Sequence, residues 1–128
     1  MTTLVFNQSR EQRVKQFREA AGKMTILEEA DKSVIRCLQE EIDEMWEAVY
    51  EYLNSPTDEF RQPMVKELAD VQYTLSQLAI YLNVNLEEAF TRVHESNMTK
   101  VVDGKILYRE DGKILKPATY EAPNMSGI

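Results

Sequence analysis

The sequence predicts an all-α fold: a helical bundle of four main helices over about residues 10–100, closed by a short C-terminal β-hairpin or extended tail over about 101–128. Three observations carry this. Residues 23–55 and 64–103 contain neither glycine nor proline, so long uninterrupted helices can form. Apolar residues in those stretches recur at alternating three- and four-residue spacings, the period of a helix with one buried face. Of four glycines and four prolines, three glycines and two prolines fall after residue 103, so the tail obeys different rules.

The first helix is expected from about Arg10 to Ala21. Ser9 and Gln12 form a capping box and Gly22 ends the helix. Val14, Phe17 and Ala21 make a thin apolar face, and the helix carries Arg10, Arg13, Lys15 and Arg18 against Glu11 and Glu19. The second is expected from about Lys32 to Leu53, with Asp31 as N-cap. Its stripe is Ile35, Leu38, Ile42, Met45, Val49 and Tyr52. Asn54-Ser55-Pro56 then breaks the chain. Ser55 caps a short turn with Pro56 at its first position, and Pro63 restarts the helix. The third helix runs to about Leu82 on Met64, Leu68, Val71, Leu75, Leu78 and Leu82. Asn85 and Glu88 form the next capping box, opening a fourth helix from about Leu86 to Met98. The short Asn83-Val84-Asn85 link makes helices three and four antiparallel neighbours. In the tail, Gly104-Lys105-Ile106-Leu107 is echoed by Gly112-Lys113-Ile114-Leu115, with Asp111-Gly112 between them, a hairpin signal.

The length of 128 residues fits one domain spanning 1–128, and 43% hydrophobic residues supply a core. A net charge of −7 argues against binding a nucleic-acid polymer or an anionic membrane. No apolar run is long enough to span a bilayer, and none follows Met1, so a cytoplasmic location is expected. The single cysteine, Cys37, excludes an internal disulfide, and with the single histidine, His94, it leaves any metal site to oxygen ligands. Both read as structural residues.

The negative charge is concentrated. From Gln39 to Glu51 there are six acids and no Lys or Arg. Glu41 and Glu44 share a face of the second helix, and Glu67 and Asp70 share a face of the third. Each stands one position before a stripe residue, namely Ile42, Met45, Leu68 and Val71, so both pairs flank the apolar seams. If the seams pack together, four carboxylates converge at their edge. Such a cluster repels itself unless it is solvated, joined by basic side chains, or neutralised by a divalent cation. With Glu40, the candidates are hard oxygen donors, with no histidine or cysteine nearby, and they suit Mg²⁺ or Mn²⁺ rather than zinc. A Glu-x-x-His motif of the di-iron bundles is absent from both helices. The alternative is a solvated acidic face, serving as a non-catalytic module for a basic protein partner.

Glu40-Glu41-Ile42-Asp43-Glu44, then 22 residues, then Glu67-Leu68-Ala69-Asp70 resembles the EExxE…ExxD motif of the all-alpha nucleoside triphosphate pyrophosphohydrolases. These include MazG, the all-alpha dUTPases, the dCTP pyrophosphatases and phosphoribosyl-ATP pyrophosphohydrolase. Val14-Lys15-Gln16-Phe17-Arg18, Val93 to Lys100 and Tyr108 to Lys113 resemble the single-domain MazG-like branch. The resemblance implies Mg²⁺-dependent hydrolysis of a (deoxy)nucleoside triphosphate to the monophosphate and pyrophosphate, with phosphoribosyl-ATP as the other candidate substrate. By motif position it implies Glu41, Glu44, Glu67 and Asp70 as metal ligands, Glu40 as the residue that orients or deprotonates water, and Asn97 and Lys100 as nucleotide contacts. It also implies a homodimer or a dimer of dimers.

An acidic site cannot itself hold a triphosphate, so cations must come from elsewhere. Lys100, Lys105, Arg109, Lys113 and Lys116 in the tail, and the basic first helix, are the sources. Trp46 or Tyr73 could stack on a base. Oligomerisation has separate support in Val34, Trp46, Tyr50, Val65, Tyr73 and Ile80, apolar or aromatic residues off the main stripes that a partner subunit could cover.

Overall fold

The computed structural model of the chain describes residues 8–22 and 33–128. The expected N-cap Asp31 and helix start Lys32 lie outside the described residues. The described chain is helical, with α1 Arg10–Ala20, α2 Ser33–Asn54, α3 Asp58–Tyr81 and α4 Leu86–Met98. Its contacts divide it into two compact units, 1–84 and 85–128.

In the first unit, α1 begins as its sequence dictates. The Ser9 side chain accepts from the Gln12 amide while the Gln12 side chain accepts from the Ser9 amide, closing the box in both directions. Gly22 at φ +70° turns the chain away. The buried face differs from the expected one. Val14 and Arg18 are buried, whereas Phe17 is 56% exposed. The reason is that α1 packs on α3 through a mixed face: the buried Ser76 hydroxyl donates to Glu11 Oε1 at 2.9 Å. Glu11, Val14 and Arg18 follow one another at helical spacing, so the hydrogen bond and the valine select the face together.

Helices α2 and α3 form the largest helix–helix interface of the chain, and α1 meets α3 over a smaller one. The three residues between α2 and α3 leave room only for an antiparallel hairpin. Thr57, not Ser55, is the N-cap of α3, and it makes no side-chain cap bond. Its amide is held by the Ser55 carbonyl at 2.7 Å, which closes the turn. Asp58 and Glu59 instead favour the helix start through the dipole. Pro63 lies inside α3 and does not restart it. Pro63 and Glu59 are both exposed, so water can satisfy the carbonyl that the missing N–H leaves. The helix ends in a Schellman motif: Asn83 takes φ +55°, its amide reaches Ile80 O at 3.0 Å, and Val84 reaches Ala79 O at 2.9 Å.

The apolar stripes are half-buried rather than sealed. Leu38, Ile42, Met45, Val49 and Tyr52 are intermediate, while Ile35, Leu68, Leu75 and Leu82 are exposed. Off the stripe, Val34 is buried and Ile80 is intermediate, while Trp46, Tyr50, Val65 and Tyr73 stand exposed. Trp46 and Tyr50 stack on each other one turn apart, 5.9 Å between centroids.

The second unit is α4 and the tail. Asn85 accepts from the Glu88 amide, one arm of the expected box. The Glu88 carboxylate instead meets Arg92 Nε at 3.1 Å. The tail returns along α4. The buried Ser96 hydroxyl donates to Glu121 O at 2.6 Å, the Glu121 amide donates to Thr99 Oγ1, and the Arg92 guanidinium donates to the Asn124 and Ser126 carbonyls. Among the described residues no strand forms. The expected hairpin is reduced to two isolated bridges, Val102 with Lys105 and Tyr108 with Ile114. Asp103 and Gly104, both at positive φ, turn the chain within four residues, and Asp111 binds the Arg109 guanidinium and the Lys113 amide. Leu107, Tyr108, Ile114 and Leu115 remain exposed, so no apolar face is buried to extend the ladder.

Candidate metal centre

The site is set by helix period and hairpin register. Glu67 and Asp70 share a face of α3, and Glu41 and Asp70 lie almost equidistant from the α2–α3 turn. The antiparallel register therefore sets α2 against α3 where these acids stand. Glu41, Glu67 and Asp70 each offer a carboxylate oxygen, all within 4.8 Å of one another. All three side chains are half-buried. Glu41 Oε2 and Glu67 Oε2 are buried and accept no hydrogen bond. Asp70 is differently placed: its Oδ2 lies 2.7 Å from Lys66 Nζ, which also stands 3.6 Å from Glu67 Oε1.

Electrostatics follow the geometry. Burial pushes the Glu41 carboxyl above its ordinary range, and the charges of Glu44, Asp70 and Glu67 add to this while Lys66 opposes it. Leaving a buried carboxylate oxygen without a donor is costly. A divalent cation held by carboxylate oxygens would supply what these acids lack, and each of the three offers it one oxygen. Cys37, one turn before Glu41, is closer to this cluster than its sequence reading implied. Burial and the charges of Glu41, Glu40 and Glu44 raise its thiol pKa, which favours the neutral thiol.

The remaining predicted residues fall in three places. Glu44 is exposed and outside the triad, but close enough to act on Glu41. Glu40 is exposed on α2. Tyr73 meets Phe17 edge-on at 5.9 Å and lines a cavity of about 210 Å³ between α1 and α3, with Arg10, Arg13, Val14, Ala69, Gln72 and Ser76. Asn97, Lys100, Arg109 and Lys113 belong to the second unit. There Asn97 Oδ1 accepts from Lys100 Nζ at 3.1 Å, and Lys100 lies 5.5 Å from the centre of the Tyr120 ring. Arg109 is paired with Asp111, and the exposed Lys113 donates its amide to the same carboxylate. Sequence reasoning missed Lys66. The signal was available, since Lys66 and Asp70 are four apart on one helix face.

A family model for phosphoribosyl-ATP pyrophosphohydrolase matches residues 7–97. No curated protein matches the chain.

Proposed function

The chain belongs to the phosphoribosyl-ATP pyrophosphohydrolase family, within the MazG-like all-alpha nucleoside triphosphate pyrophosphohydrolase superfamily, and from that premise we propose that it cleaves a (deoxy)nucleoside triphosphate to the monophosphate and pyrophosphate with Mg²⁺ at the triad. Membership makes the chain a hydrolase acting on an acid anhydride, which sets aside the non-catalytic module. The observation that carries the metal assignment is the pair of buried, unpartnered oxygens on Glu41 and Glu67 beside Asp70. Glu41, Glu67 and Asp70 would hold the ion, and by motif position Glu44, exposed and outside the triad, would be a fourth ligand. Mn²⁺ is a possible substitute.

A bound divalent cation supplies charge neutralisation at the phosphate oxygens and acidification of a water. The protein's own part is positional. Glu40, exposed beside Glu41, would take the proton of the water that attacks the α-phosphorus. Pyrophosphate leaves as a polyanion and needs cations, which acidic ligands cannot provide. Arg10 and Arg13 line the α1–α3 cavity together with Tyr73, so guanidinium groups and an aromatic ring open on one space. That combination suits a phosphorylated, planar ligand. By motif position Asn97 and Lys100 are the proposed nucleotide contacts, and Arg109 and Lys113 are further candidate cations.

Phosphoribosyl-ATP is the second reading, favoured by the family model itself. The test is incubation with each dNTP and NTP and with phosphoribosyl-ATP, in Mg²⁺ and in EDTA, with pyrophosphate and the nucleotide product both identified. Pyrophosphate from a nucleoside triphosphate supports the first reading; release from phosphoribosyl-ATP alone selects the second. Pyrophosphate from neither would overturn both.

Assembly as a homodimer or dimer of dimers is part of the same proposal. It is supported by the exposed Trp46, Tyr50, Leu53, Val65 and Leu68 on α2 and α3.

A further inference from the structure

The triad is not uniformly free. Two of its corners, Glu41 and Glu67, present buried oxygens without partners, while the third, Asp70, is engaged by Lys66 at 2.7 Å. The ammonium also stands 3.6 Å from Glu67, so it faces two of the three acids. Its side chain is 69% exposed, on a flexible four-carbon stem anchored one turn before Asp70. A surface ion pair of this kind adds little to stability. Its effect on a neighbouring divalent ion is larger. Ammonium and metal would compete for the same carboxylates, and they repel each other across a few ångströms.

Resting on the metal-centre reading above, we infer that Lys66 is the resident counter-ion of the triad and that a divalent cation enters by exchange with it. Metal loading and release of Lys66 from Asp70 are then one coupled step. Before loading, the ammonium offsets part of the repulsion among Glu41, Glu67 and Asp70. After loading, the metal has taken over the carboxylate charge, and Lys66 is set free at the edge of the centre. There its length and exposure place a mobile cation beside any polyphosphate that meets the metal. Lys66 is a positioning residue in this scheme: it touches the ligand set, not the reacting atoms.

The sign of the effect separates this role from a merely structural one. A residue that only propped up Asp70 would weaken metal binding when removed. A competing counter-ion strengthens it. The probe is Mn²⁺ alone, without nucleotide, titrated into the full chain and followed by the electron-paramagnetic-resonance signal of the free ion. Lys66→Met is expected to bind Mn²⁺ about two- to tenfold more tightly than the unaltered chain, and Lys66→Arg to bind close to it. Arg61→Gln, which removes a cation elsewhere on α3, is the control for overall charge and is expected to change the affinity less than Lys66→Met. A second readout is the Lys66 side-chain amine resonance, assigned by its loss in Lys66→Met, which must move on addition of Mg²⁺. Equal or weaker Mn²⁺ binding by Lys66→Met, or an effect matched by Arg61→Gln, overturns the counter-ion role and leaves the metal centre standing. Binding that survives Glu41→Gln undiminished, or no binding by any form, overturns the metal centre and the exchange with it.

Discussion

Glu41 is where the acidic composition becomes chemistry. Its carboxyl is held above the ordinary value of 4.5 by burial first and by three neighbouring carboxylates second. A group whose pKa is raised by folding stabilises the folded state below its ordinary value, and that contribution is lost as pH rises through the folded value. Without metal, ionised Glu41 therefore costs stability at neutral pH; with metal, ionisation is what binding requires. Three outcomes follow for Glu41→Gln. In EDTA at neutral pH its melting temperature rises above that of the unaltered chain. In saturating Mg²⁺ the order reverses, because a ligand at a hundredfold its Kd adds roughly 2.7 kcal/mol to the form that binds it. Pyrophosphate release falls at least a hundredfold, while far-ultraviolet circular dichroism keeps its helical signal. Mn²⁺ affinity of the unaltered chain must also weaken on acidification from neutral pH, as protons compete for Glu41; an affinity flat down to pH 5 would remove Glu41 from the ligand set.

Helix ends and faces explain why the elements sit where they do. The Ser9–Gln12 box and the glycine after α1 were readable because capping is local chemistry. The face of α1 was not, because Ser76, far along the chain, decides it through Glu11. Pro63 was misread for a related reason: a proline breaks a helix only if the lost bond cannot be replaced, and its exposure in the second turn supplies the replacement. Asn83 gives the test at this scale. It adopts a left-handed conformation to close α3, which asparagine tolerates and β-branched residues do not. Asn83→Val should destabilise the chain by about 1–2 kcal/mol, and Asn83→Gly should be neutral or stabilise by up to about 1 kcal/mol, both read by urea denaturation. A valine variant as stable as the unaltered chain would show that the Schellman turn does not hold α3 in solution.

The described chain exposes more apolar surface than a small monomer tolerates easily. Trp46 is 50% exposed, Tyr50 60% and Leu53 65%, on three successive turns of α2. Fully burying such a side chain is worth about 1.5–3 kcal/mol, so a few of them covered by a second copy suffice to favour association. Light scattering at micromolar concentration should return at least twice the 14.9 kDa of the chain. Trp46→Glu with Tyr50→Glu should lower that mass toward the monomer. A monomeric unaltered chain would leave the apolar face unexplained by self-association. No helix among the described residues is long and apolar enough to cross a membrane.

The sequence by itself determined the four helices, the caps of α1 and α4 and the spacing of the acids along α2 and α3, because each depends on residues within a few positions of one another. It placed Glu41, Glu67 and Asp70 beside apolar stripes, and two stripes joined by a short turn have one antiparallel register. What only the tertiary structure decided lies across that register and across the interface of α1 with α3. It separated Glu44, exposed on its helix, from the three acids that converge. It turned Arg18 rather than Phe17 inward, left the tail as turns for want of a face to bury, and set Lys66 against Asp70 while two carboxylate oxygens stayed unpartnered. Period and spacing determine which face a residue shares; only packing decides which faces meet.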